Sequence, residues 1–179
     1  MTIHLDIPHL GRFGWMRIAG AVPVKLCERL VEVLETEMDV PVHDQSRWHE
    51  HGGEPRDLIP IWGHQAQWDI RQHPDLHRIW AVLWKTDRLG VSLDSCRFTP
   101  PWKPGFGEPN RIHWDYDPWN AEMRVFQGVV ALNETAANQG ASAVSHRSIR
   151  SAMRGGDHPA SIRTAPKIGS QKISRDARS

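Results

Sequence analysis

The chain lacks any apolar run approaching the roughly 18 or more consecutive residues that a membrane-crossing helix requires. Its opening, Met1-Thr-Ile-His-Leu-Asp-Ile-Pro-His9, lacks the basic start and apolar stretch of a targeting segment. Cysteine is scarce as well. The two present, Cys27 and Cys96, stand far apart among residues with a buried look, without CxxC or CxxxC spacing. Together these shortages exclude a disulfide framework and a paired-cysteine zinc site. They set the expectation of an aqueous, reducing, cytoplasmic setting with no membrane partner.

In its 179 residues, 39% hydrophobic and 24% charged, there is apolar mass for one core but not comfortably for two. The net charge of +1 hides a division at Gly140. Residues 1–140 carry 14 Lys and Arg against 19 Asp and Glu, a net −5, whereas residues 141–179 carry 8 against 2, a net +6. All nine tryptophans and every Leu, Phe and Tyr precede Gly140. Beyond it, Val144, Ile149, Met153, Ile162, Ile168 and Ile173 are too sparse and unphased to bury a face, so 141–179 is expected to be a basic, disordered tail.

Within residues 1–140, the β-branched and aromatic content of 11–20, between glycines, suggests a short strand. From Val24 the residues Leu26, Cys27, Leu30, Val31, Val33 and Leu34 recur at helical spacing, with Lys25, Glu28, Arg29, Glu32 and Glu35 opposite and Pro41 as a stop. Residues 43–69 show no sustained period and read as loop with short elements. A second helix is expected over 73–86 from Pro74, with Leu76, Ile79, Trp80, Leu83 and Trp84 on one side. Strands are expected over 89–99, 111–116 and 124–133, with a Gly/Pro-rich loop at 100–110 and a polar turn ending at Gly140. Helices followed by closely spaced strands indicate an α+β layout, an antiparallel core with helices packed on one side.

The chemistry concentrates in Arg111-Ile-His-Trp-Asp-Tyr-Asp-Pro-Trp119. In a strand alternate side chains share a face, so His113 and Asp115 would converge while Trp114 points away. One imidazole and one carboxylate form two thirds of the 2-His-1-carboxylate set that binds Fe(II) and leaves positions open for cosubstrate and oxygen.

The surrounding residues carry a resemblance. Gly14-Trp-Met-Arg-Ile-Ala-Gly-Ala-Val-Pro23 with the following Leu26-Cys27, Arg111-Ile-His-Trp-Asp-Tyr-Asp117, Val125-Phe-Gln-Gly-Val-Val-Ala-Leu-Asn-Glu-Thr135 and Asn138-Gln-Gly-Ala141 resemble the phytanoyl-CoA dioxygenase family, within the Fe(II)/2-oxoglutarate-dependent oxygenases. The resemblance spans roughly residues 10 to 143. It implies a double-stranded β-helix (jelly-roll, cupin-like) core, here incomplete, with N-terminal helices packed on it. It also implies a dioxygenase-like domain over 1–140, Fe(II) held by His113 and Asp115, 2-oxoglutarate as cosubstrate, O2 as oxidant and a small organic substrate to hydroxylate.

The match fails after Gly140. Where the family continues with apolar residues and a Pro-Gly-x-His turn, this chain reads Ser-Ala-Val-Ser-His-Arg-Ser-Ile-Arg150. The third metal ligand is therefore unassigned, and the tail is expected to derive from a frameshift, a premature truncation or an error in the gene model. Without a distal His the iron would be held much less tightly and activity is open to question, and the alternative is a non-catalytic binding or scaffolding remnant of the same fold. Missing strands would leave open sheet edges, through which self-association is expected. His146 and His158 would have to order a flexible tail, at about 1–2 kcal/mol per residue, to replace the distal ligand.

Other residues rank below this pair. Gln127 and Arg97 are candidates for the cosubstrate or substrate pocket. A guanidinium suits bidentate pairing with a carboxylate; the alternatives are an edge-facing strand amide for Gln127 and a surface position for Arg97. His43, His49, His51 and His64 lack metal-ligand spacing and read as solvated or capping groups. Trp48, Trp62, Trp68, Trp80 and Trp84 read as core or pocket wall. The acidic balance of 1–140 disfavours specific nucleic-acid binding, and the basic tail alone would make at most a salt-sensitive polyanion contact.

Overall fold

In a computed structural model, which describes residues 3–49, 56–91, 94–101, 103–104, 113–115, 117 and 125–136, the first element begins where a carboxylate can cap it. Asp6 accepts the amide of His9 at 2.8 Å and Pro8 sits in the first turn, where no amide is needed, so helix α1 runs Ile7–Phe13. Gly14 ends it at φ 78°, its amide donating to the Leu10 carbonyl at 2.7 Å. The strand expected over 11–20 is thus replaced by the end of a helix and by residues 15–18 without a ladder. Local capping decides the outcome over β-branched content.

Helix α2, Val24–Met38, buries Cys27, Leu30, Leu34 and Met38, with Leu26 and Val33 packed at the margin. This is the stripe that the sequence spacing describes, extended by one turn. It stops before Pro41, because Asp39 turns to φ 54° and donates its amide to the Glu35 carbonyl. The chain is then tied back. The Glu35 carboxylate accepts the Val42 amide at 2.6 Å, and Trp48 Nε1 donates to the Val42 carbonyl at 2.9 Å. Between them lies a single 3-10 turn, Gln45–Arg47, whose start is capped by Asp44.

Strand β1, Arg56–Ile59, pairs antiparallel with β2, Cys96–Phe98, through Arg56 with Phe98 and Ile59 with Cys96, with an irregularity in the register between them. Helix α3, Gln65–Arg71, and helix α4, Pro74–Trp84, follow β1, each opened by a histidine. Helix α2 packs on α3 and on β1. The shared core joins Val22, Cys27, Leu30, Leu34, Met38 and Val40 to Ile59, Ile61, Ala66, Ile70 and Cys96. Each large aliphatic buried there contributes roughly 1.5–3 kcal/mol.

Helix α4 begins at Pro74 as its sequence indicates, yet it buries only Ile79, with Leu76 against the core. Its tryptophans meet a later segment instead. Phe126 stands edge-on to Trp84 at 5.2 Å, a Cβ on Gly128 would lie 2.9 Å from the Trp80 ring, and Leu132 reaches the core. Residues 125–132 therefore pass α4 from its C-terminal end back toward its start.

Of the expected strand 89–99 only Cys96–Phe98 forms a ladder. Residues 113–115 and 125–132 have no ladder partner among the described residues. The described residues hold helices and one two-stranded antiparallel sheet. The rest of the expected strand 111–116, most of the loop 100–110, the boundary at Gly140 and the tail 141–179 lie outside the described residues. No described helix is long and apolar enough to cross a membrane.

Candidate functional site

His113 and Asp115 are brought together. His113 Nε2 lies 3.2 Å from Asp115 Oδ1, with the two side chains 51% and 39% exposed. Their meeting does not depend on a ladder: Asp115 sits in a bend, and Trp114 between them is half-buried. Two donor atoms each about 2.1 Å from one ion and at right angles around it stand about 3 Å apart. The observed separation fits that edge of a coordination shell, and it equally fits a direct hydrogen bond or ion pair between the two side chains. Among the described residues no group of three His, Cys, Asp or Glu side chains comes close enough to share an ion. His146 and His158 lie outside the described residues.

The two pocket candidates lie on different segments of the chain, and both are exposed. Arg97 is exposed in β2, between buried Cys96 and half-buried Phe98, so the strand's alternation turns it away from the core. Gln127 is also exposed, between Phe126 on Trp84 and Gly128 beside Trp80.

Several other histidines have local duties. His64 caps α3, its Nδ1 accepting the Ala66 amide at 3.1 Å, and His73 caps α4 by accepting the Asp75 amide at 3.3 Å. His49 Nε2 is 3.0 Å from the Pro101 carbonyl, linking the loop after α2 to the chain beyond β2. His43 is largely exposed, 3.6 Å from the Glu35 carboxylate. His51 lies outside the described residues.

One polar cluster escapes sequence reasoning. Gln67, only 2% exposed, donates from Nε2 to Asp94 Oδ1 at 2.8 Å and to the Asp94 carbonyl at 3.3 Å. Arg71, one turn later on α3, donates to the same carboxylate oxygen through Nε at 2.7 Å and through Nη2. Its guanidinium also lies over the Trp68 ring at 4.2 Å. The signal was present as Gln67 and Arg71 four positions apart, but it is legible only once residues 65–71 are known to be helical. Gln67 Oε1 has no partner among the described residues.

Cys96 stands beside this cluster. Burial pushes its thiol up to about 11, the Asp94 carboxylate adds to the shift, and Arg71 opposes it. Burial, with Glu28, also raises the Cys27 thiol. Both cysteines are free, and neither is a ready thiolate nucleophile at neutral pH.

Comparison of the chain with models of known protein families, with curated protein sequences and with solved structures finds no match.

Proposed function

We propose that His113 and Asp115 hold Fe(II) in a cytoplasmic dioxygenase of the phytanoyl-CoA dioxygenase type, using 2-oxoglutarate and O2 to hydroxylate a small organic substrate. The observation that supports this reading is the 3.2 Å approach of His113 Nε2 to Asp115 Oδ1, on side chains open to solvent. A neutral imidazole nitrogen and a carboxylate oxygen are the donor types that Fe(II) shares with enzymes of this chemistry, and two such donors leave the other positions free. When bound, the metal would supply a site for cosubstrate chelation and oxygen activation. The chain's own part is to present the His113 lone pair and to offset part of the metal's charge with the Asp115 carboxylate. Arg97 or Gln127 would engage a cosubstrate or substrate carboxylate.

A second reading is a non-catalytic binding or scaffolding protein of the same ancestry, favoured by the direct 3.2 Å approach of His113 to Asp115, which pairs the two side chains with each other. Turnover of 2-oxoglutarate to succinate and CO2 under Fe(II) and O2 separates the two. The enzyme reading expects Fe(II)-dependent turnover in the intact chain and its loss, by about 100-fold or more, in Asp115→Ala. An intact, folded chain that gives no turnover leaves the binding reading standing.

A further inference from the structure

We draw no further inference here: the strongest candidate, the exposed apolar face that α4 and residues 125–130 form around Trp84, Phe126, Val129 and Val130, carries nothing because nothing in the structure shows what covers it.

Discussion

Asp94 holds two side chains of α3 at once, and its carboxylate is half exposed while the Arg71 side chain is only 6% exposed. The asymmetry decides what each substitution does. Removing Arg71 takes away two charge-assisted donors and the stack on Trp68, so Arg71→Ala is expected to lower stability by about 2 kcal/mol. Arg71→Lys recovers only part of this, because an ammonium has neither the planar fork nor the stacking face. Asp94→Asn costs less, since water reaches that end of the pair. Urea midpoints at constant m-value order the three variants, and an Arg71→Ala midpoint equal to that of the parent chain would mean that the cluster contributes nothing.

Cys96 gives a second test at this scale. Its folded pKa of about 11 lies above the usual thiol value of 9.0, so its contribution to stability is complete below pH 9 and is lost as pH rises through 11. Over that window the unfolded chain releases the proton first, and stability falls by on the order of 2 kcal/mol. Cys96→Ala lacks this decline. The difference between the two urea midpoints, followed from pH 8 to 11, isolates it from every titration the proteins share.

At the scale of elements, capping and packing decide which sequence signals survive. Helix α1 buries no residue, so its persistence rests on Asp6, on Pro8 and on the left-handed Gly14. Gly11 has open space around its Cβ position, whereas Gly14 needs φ 78°. Gly11→Ala is expected to slow amide exchange at Leu10 and Phe13 by removing about 0.5–1 kcal/mol of helix penalty, and Gly14→Ala to speed it by a similar amount. Equal exchange in both variants would show that α1 is not held by its own caps.

Helices α2 and α4 are legible because periodic apolar spacing and a proline start are local signals; in α2 the core contacts follow that period, whereas α4 buries only Ile79. Of the strands, Cys96–Phe98 falls within the expected 89–99, whereas Arg56–Ile59 lies in a stretch that reads as loop. The Ile59–Cys96 pairing joins distant parts of the chain, and neither Arg56–Ile59 nor Gln65–Arg71 has enough length to show a period. Valine-rich 125–132 reads as strand by composition, yet it is placed by aromatic contacts with Trp80 and Trp84. The histidine caps were half legible. His64 reads in the sequence as a capping or solvated group, and Pro74 implies a helix start without revealing that His73 caps it.

Across the whole molecule, the core and the candidate site are built from different stretches. The core is supplied by α2, α3, β1, β2 and the residues flanking them, with Leu132 at its margin, whereas His113 and Asp115 are exposed. The pair was legible in sequence because two residues carry it at a spacing of two. For the proposed metal, no local pattern points to a third donor. Because core and site are separate, truncating His113 or Asp115 should shift the metal-free unfolding midpoint by no more than about 0.5 kcal/mol equivalent, as for other exposed polar pairs. A metal effect can therefore be read without a folding defect underneath it.

The most direct measurement is thermal unfolding of the full chain under nitrogen, first alone and then with Fe(II) and 2-oxoglutarate. A ligand that binds only the folded state raises the midpoint in proportion to the logarithm of its concentration above Kd. A cooperative transition is expected that moves upward with Fe(II) plus 2-oxoglutarate in the parent chain and stays fixed in His113→Ala and Asp115→Ala. A midpoint unmoved by Fe(II) in the parent chain, or raised equally in all three proteins, would contradict the assignment of His113 and Asp115 as metal ligands.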